Sequence, residues 1–314
     1  MKRAPAGADG GLDMAAADHP DVSLDGKVAL ITGAGQGLGR VEALALAAAG
    51  ARVVVNDLGE GAERVTAEIR DAGGEATAAP GDVGDWDTAT GLVGQAISTY
   101  GGLDILVNNA GMIRDKMIFS MTADAWDPVV RVHLRGHAAT SSAASAYWRN
   151  QSKAAGGPIY ARLINTTSES ALFGNPGQPN YAAAKYGITA LTLAVSGSCA
   201  KYGVRANAIA PRARTPMTEH MMPPKPESGV DLFGTEHIPP VVLWLASPAG
   251  DAVNGQVFVT YGGRLAVLAA PTVEHVYRTS GDIWTPEELA SVVGTAMAEG
   301  KHGGFAVSTA LRID

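Results

Sequence analysis

The chain has 314 residues, 46% of them apolar and 18% charged, which supplies a sizeable core and suits one large α/β domain. Its 24 lysines and arginines against 31 acidic residues give a net charge of −7 with no basic block, which argues against nucleic acid as a partner. A single cysteine, Cys199, argues against a disulfide framework or a thiolate metal site and suits a reducing, cytoplasmic setting, and no run approaches the roughly 18 apolar residues of a membrane span.

Residues 1–22 are rich in Ala, Gly and Asp, have no apolar stretch behind the opening basic pair, and read as a flexible arm and not a secretory signal. From Lys27 onward, short Val/Ile/Leu runs alternate with Ala-rich stretches of helical period. The predicted strands cover residues 28–31, 52–56, 105–108, 162–166, 205–209 and 256–260, with a weaker one at 75–79. The predicted helices cover 38–49, 61–71, 85–99, 123–148, 181–201 and 239–246. The strands are continuously apolar, as expected of parallel strands covered on both faces. Strand–helix alternation of this kind implies right-handed βαβ crossovers and a doubly wound sheet of about seven parallel strands with helices on both faces, one domain over 23–271.

The first strand runs into TGAGQGLG, residues 32–39. Gly33 permits the tight turn, Gly37 lets the backbone approach a pyrophosphate, and Gly39 lets the new helix pack close to the sheet, with Gln36 and Leu38 completing the loop. A helix start also offers unpaired N–H groups and a positive dipole end to phosphates. Asp57 follows the second strand, where a carboxylate accepts from the adenosine ribose hydroxyls and repels a 2′-phosphate. Neither Gln36 nor Leu58 offers a cation to that phosphate, so the expected cofactor is NAD.

Further on, Asn108-Asn109-Ala110-Gly111 ends one strand and Asn165-Thr166-Thr167-Ser168 the next. Tyr181 and Lys185 are four apart in a helical stretch and share a face. A phenol near pKa 10 serves as a base at neutral pH only if its phenolate is favoured, which a neighbouring ammonium or a positive nicotinamide ring does by Coulomb attraction. These segments are all predicted to end at the carboxyl edge of the sheet, where open α/β sheets bind ligands.

Two stretches fall outside the rhythm. Residues 216–238 carry many Pro and Met and read as a lid-like insert, with Met217, Met221, Met222 and Phe233 expected to adapt to a large apolar substrate. Residues 272–314 form a C-terminal extension in which Thr285, Pro286 and Glu288 open a helix ended by Gly300.

Taken together, TGAGQGLG, NNAG, a Ser thirteen residues before YAAAK, and that Tyr and Lys resemble the short-chain dehydrogenase/reductase family in its single-domain, Rossmann-type branch, over about residues 24–265. The resemblance implies that Tyr181 exchanges a proton with the substrate oxygen, that Lys185 lowers the tyrosine's pKa and binds the nicotinamide ribose, and that Ser168 holds the substrate oxygen. It also implies that Asp82 and Val83 contact adenine, that Asn109, Ala110 and Gly111 line the cofactor groove, and that Pro211 and Thr215 sit by the carboxamide. Where the family usually has an Asn supporting a proton relay, this chain has His133, which either keeps a relay or only caps a backbone carbonyl. After Pro211 the usual Gly is absent, which leaves the placement of Thr215 open.

The stretches DGKVALITGAGQGLGR, VVVNDLG, RVHLRG, GNPGQPNYAAAK and IAPRARTPMT are similar to the dehydrogenase part of peroxisomal multifunctional enzyme type 2, or 17β-hydroxysteroid dehydrogenase type 4, and to its bacterial stand-alone relatives. That likeness implies a large apolar substrate, a hydroxysteroid or a (3R)-hydroxyacyl-CoA thioester, including CoA-linked sterol side chains. Arg114, Lys116, Arg212 and Arg214 are then candidates to meet CoA phosphates, and a homodimer or homotetramer is expected. No metal is expected, since no metal-ligand spacing stands out and tyrosine-assisted hydride transfer needs none. A ketone reductase on another apolar substrate is an alternative, because the cofactor ratio sets the direction. A non-catalytic NAD-binding regulatory module is another, although such proteins usually lose the Tyr or the Lys.

Overall fold

A computed structural model describes residues 21–269 and 273–300. All but the last two residues of the expected arm, and the last fourteen of the expected extension, lie outside the described residues.

The first half is a run of strand–helix units: β1 (Val28–Thr32), α1 (Gly37–Ala48), β2 (Arg52–Val55), α2 (Gly61–Asp71), β3 (Glu75–Ala78), α3 (Trp86–Tyr100) and β4 (Ile105–Asn108). The second half has α4 (Ala123–Val130), α5 (Gly136–Ala155), β5 (Ala161–Thr166), α6 (Glu169–Phe173), α7 (Pro179–Cys199), β6 (Val204–Pro211), α8 (Pro239–Ala246), β7 (Val257–Tyr261) and β8 (Arg264–Val267). Beyond lie the short helices α9 (Pro286–Leu289) and α10 (Thr295–Ala298). The strands form one sheet in the order β3-β2-β1-β4-β5-β6-β7-β8. Every pairing is parallel except the antiparallel β7–β8 hairpin.

Strand alternation divides the core in two. Ala29 and Ile31 of β1 face one apolar layer with Leu46 of α1, Ile69 of α2 and Leu245 of α8. Val28 and Leu30 face the other, with Leu92 of α3 and Trp148 of α5. Both faces are covered, so the strands read as unbroken apolar runs.

The seven parallel strands are present, and an eighth, antiparallel one joins them because the Gly262–Gly263 pair, at φ +48° and +76°, turns the chain straight back into β8. One expectation is corrected. The single helix expected over 123–148 is three segments: α4, a π-helical turn Arg131–Arg135, and α5, which runs on to Ala155 and stops at Gly156 in the left-handed region (φ +73°). The short α6, capped by Ser168, was not expected. In the C-terminal extension, the Thr285 hydroxyl does cap its helix by accepting from the Glu288 N–H at 3.1 Å. That helix too is interrupted by a π turn before Gly300.

Glu42 is the anomaly of the core. It lies on the inner face of α1 with no exposed surface, and neither carboxylate oxygen has a hydrogen-bond partner. Burial pushes its carboxyl up to about 8, so it is a neutral acid near neutrality. In the unfolded chain it ionises near its ordinary value, so between about pH 4.5 and 8 only the folded state holds this proton. Stability is therefore lost as pH rises through that window. Glu42→Leu removes the titration: its denaturant-derived stability relative to the unaltered protein is expected to grow from pH 5 to pH 8, by on the order of a few kcal/mol. An unchanged difference between the two pH values would refute the neutral buried acid.

Candidate active site

The sheet's topology turns between β1 and β4, which are neighbours although their connections leave in opposite directions; Thr32 pairs with Asn108 at their carboxyl ends. A crevice opens there by construction. The loop after β1 is pressed against the end of β4. Gly33 has φ +64°, and a Cβ on it would lie 2.6 Å from the Ala110 Cα. A Cβ on Gly39 would strike the Gly33 carbonyl, so Gly39 serves packing and does not line the crevice. Thr32 Oγ1 accepts from the N–H groups of Asn109 and Ala110 at 3.1 and 3.2 Å. Asn109 Nδ2 in turn donates to the Gly33 carbonyl at 3.0 Å.

The resulting cleft encloses about 1090 Å³ including its open mouth. Of the residues expected to hold the cofactor, Gly33, Gln36, Gly37, Leu38, Asp57, Asp82, Val83, Asn109, Ala110, Gly111, Tyr181, Lys185, Pro211 and Thr215 all line it. Asp57 anchors one end: Oδ2 accepts from Gly35 N–H and Oδ1 from Leu58 N–H, each at 2.6 Å. Asp82 pairs with Arg131 at 2.7 Å. Thr215 reaches the cleft beside Gly37 even without the usual glycine, because Arg212 N–H extends the strand pairing to Thr260 and Thr218 Oγ1 accepts from Thr215 N–H at 3.0 Å.

The other end carries the acid/base candidates. Tyr181 and Lys185 lie on the first turns of α7, which Pro179 starts. Lys185 Nζ donates to the Thr166 carbonyl at 2.6 Å and lies 5.6 Å from the Tyr181 ring centroid. Ser168 caps α6 and stands close enough to the Tyr181 phenol to bear on its ionisation, although its side chain does not line the cleft. Burial pushes the phenol above its ordinary value; the Ser168 contact pulls it down, and the charge of Asp115 pushes it up again. Lys185 itself is brought down to about 7 by burial. Burial thus works against the ammonium that would favour the phenolate.

His133 projects from the π turn against Gly111 and meets the edge of Tyr181 at a centroid distance of 5.1 Å. Its Nε2 lies 2.8 Å from the Met112 carbonyl oxygen, while the buried Nδ1 has no partner. Burial and then the Lys185 charge hold its pKa well below the usual imidazole value, so the ring is neutral.

Several contributors were missed from sequence. Asn180, at the start of α7, donates from Nδ2 to the carbonyls of Arg114 and Ala125, fixing the loop opposite Tyr181. Its signal was an amide directly before the tyrosine at a helix start. His137, one turn beyond His133 and fully buried, has an unpartnered Nε2 and a pKa lowered well below the ordinary value by burial and Lys185. Thr166 had no legible signal, since it acts through its backbone carbonyl.

Within the insert 216–238, Met217 lines the cleft, Phe233 stacks on Tyr261 at 6.4 Å, and Met222 does not reach it; the Met221 side chain lies outside the described residues. Two of the four basic candidates are already paired: Arg212 with Glu169 at 2.6 Å and Arg214 with Asp231 at 3.0 Å. Arg114 donates to the adjacent Ile113 carbonyl, and Lys116 is exposed. No helix among the described residues is long and apolar enough to cross a membrane, and they hold no cluster of three His, Cys, Asp or Glu fit for a metal.

Residues 27–225 match the family model described as short chain dehydrogenase. The chain is 47% identical over 280 residues to the hydroxyacyl-CoA dehydrogenase ChsB1 of Mycobacterium tuberculosis, covering 86% of this chain and 88% of that protein. It is 39% identical over 279 residues to the mouse peroxisomal multifunctional enzyme type 2, covering 85% of this chain but 36% of that longer protein. A crystal structure of a short chain dehydrogenase from Mycobacterium avium superposes with a TM-score of 0.80 at 43% identity, covering 90% of this chain and 98% of the other.

The lowered Lys185 pKa has a measurable consequence. Between about pH 7 and its ordinary 10.5, the unfolded chain holds a proton on this lysine that the folded protein lacks. The cost of the buried ammonium is full below pH 7 and fades as pH rises. Lys185→Met is expected to raise the melting temperature most at pH 6 and least near pH 10. A gain that does not shrink with pH would show that the ammonium is not strained by burial.

Proposed function

Because this chain belongs to the short-chain dehydrogenase family, we propose that it is an NAD-dependent oxidoreductase oxidising a secondary hydroxyl on a (3R)-hydroxyacyl-CoA thioester, a CoA-linked sterol side chain or a hydroxysteroid. The carrying observation is that one cleft runs from the Asp57 carboxylate to Tyr181 and Lys185. The fit to a dinucleotide rests on the close approach at Gly33 and Gly39, on the backbone-held carboxylate of Asp57, and on the buried Lys185 with no carboxylate in ion-pair reach among the described residues.

Gly33, Gln36, Gly37 and Leu38 would hold the pyrophosphate, Asp57 the adenosine ribose, and Asp82 and Val83 the adenine. Asn109, Ala110 and Gly111 would hold the middle of the cofactor, with Pro211 and Thr215 at the carboxamide. The nicotinamide supplies the hydride acceptor. Ser168 donates a hydrogen bond to the substrate oxygen, and Tyr181 takes its proton at the phenol oxygen. Lys185 binds the nicotinamide ribose hydroxyls and presents its positive charge to the phenol, which favours the ionised form once the site is filled. His133 keeps a neutral ring against Tyr181 and fixes its tilt; a relay through it remains part of the reading.

The relatives named for hydroxyacyl-CoA and multifunctional enzymes support the substrate class, and Met217 at the rim with Phe233 over Tyr261 supports a lid over an apolar chain. In this reading the catalytic unit spans residues 23–271, and residues 272–314 pack on it or on a neighbouring subunit. Exposed Tyr186 and Leu193 on α7 support a homodimer or homotetramer. A cytoplasmic location is consistent with the lone Cys199.

The test follows NADH absorbance across hydroxysteroids and 3-hydroxyacyl-CoA thioesters of several lengths, with NAD and NADP side by side. Tyr181→Phe is expected to lower kcat by at least about a thousandfold while leaving dinucleotide binding within about threefold. Turnover retained in that variant rejects the assigned acid/base; no turnover by the unaltered protein on any member rejects the substrate class.

A further inference from the structure

Cation contact with a 2′-phosphate is absent at Gln36 and Leu58, yet a guanidinium stands at the same loop from a different element. Arg64, closing the first turn of α2, donates from Nη2 to the Gly35 carbonyl at 2.8 Å. The N–H of that same Gly35 is held by Asp57 Oδ2 at 2.6 Å. A cation and a carboxylate therefore grip the two polar ends of one residue, at the rim where the ribose hydroxyls belong. The grip is tight: a Cβ on Gly35 would lie 2.7 Å from Asp57 Oδ2 and 2.8 Å from the Gly61 Cα.

Arg64 differs from its neighbour Arg40. Arg40 is neutralised by Glu68 at 2.5 Å. Among the described residues no carboxylate lies within ion-pair distance of Arg64, whose side chain is exposed and bound only to a backbone carbonyl. A guanidinium has five N–H donors, so most of its capacity is available. The loop it overlooks is short and open: Leu58 is 67% exposed, and Gly59 and Gly61 carry no side chain that would block a phosphate. What opposes an anion there is the charge of Asp57, with exposed Glu60 and Glu63 adding to it from the start of α2.

We propose that Arg64 is a latent 2′-phosphate-binding residue, kept from that role by the Asp57 carboxylate. The proposal rests on the reading of the cleft as a dinucleotide site. Removing the Asp57 charge relieves like-charge repulsion and leaves Arg64 free to swing from a neutral carbonyl to a dianionic phosphate, a far stronger, charge-assisted partner.

The test is equilibrium binding of two fragments, 5′-AMP and adenosine 2′,5′-bisphosphate, measured by calorimetry. Asp57→Asn keeps one acceptor for the two loop N–H groups that the carboxylate holds and is expected to tighten the bisphosphate by at least about tenfold. Adding Arg64→Ala is expected to erase that gain while changing 5′-AMP affinity by no more than about twofold. Glu60 and Glu63, exposed at the same helix start, are present in every protein compared and so cancel. Asp57→Ser carries the same comparison if the Asn variant does not fold. A gain that survives Arg64→Ala, or no gain on removing the carboxylate, overturns the proposal. Failure of the unaltered protein to bind 5′-AMP at all overturns instead the dinucleotide reading on which it stands.

Discussion

The carboxamides of Asn108 and Asn165 hold the two working halves of the molecule in register. Asn108 Nδ2 donates to Asn165 Oδ1 at 3.0 Å and to Ser141 at 3.2 Å, while its Oδ1 accepts from Thr140 at 2.7 Å. Asn165 Nδ2 donates onward to Thr192 at 2.9 Å. The ladder is buried and joins the ends of β4 and β5 to α5 on one side and α7 on the other. Thr192 is two turns beyond Lys185 on the same helix face, so a bond at the sheet end sets the rotation of α7 and with it the aim of Lys185 and Tyr181. A buried polar chain of this kind rigidifies when every member is satisfied and is costly when one is not. A purely apolar junction would hold the helices close without fixing that rotation.

Charge is arranged differently at the rim and inside. At the rim, Asp82 faces Arg131, Glu169 faces Arg212 and Asp231 faces Arg214, so these charges are paired while Asp57 keeps its own. Inside, Lys185 stands with two neutral imidazoles, His133 and His137, and a phenol. A charged molecule entering such a setting changes the field more than it would in water, because little mobile solvent remains to compensate. The acid/base state of the interior is thus set largely by what is bound.

Periodic apolar runs are the most legible feature of the sequence, and they locate β1, β2, β4, β5, β6 and β7 to within a residue or two because both faces of each must be covered. The helix α8 is placed to the residue, since Pro239 starts it and its apolar run is short. What resisted reading has physical causes. The strand β8 is outward-facing, with Leu265 and Val267 exposed, so burial leaves no pattern on it; only Gly262–Gly263 betrays the turn. The π turn at Arg131–Arg135 keeps helical composition and so is invisible to periodicity. At the site, cleft-lining residues tied to glycine turns and strand ends were legible, whereas Thr166 and Gly35 act through backbone atoms that any sequence possesses. Pairing of Arg212 and Arg214 with acids distant in sequence was likewise illegible, because it depends on tertiary return of the chain.

That π turn bears on how the chain tolerates insertion and deletion. A π turn holds one residue more than the α-helix on either side. Losing any one residue within 131–135 would let the helix close up without breaking, yet each residue of helix advances by about 100° around the axis. His133 would be carried off the face it shares with Gly111 and Tyr181, or else α5 would turn Thr140 and Ser141 away from Asn108. A single-codon deletion here would leave helix content nearly intact and still unseat one half of the site from the other.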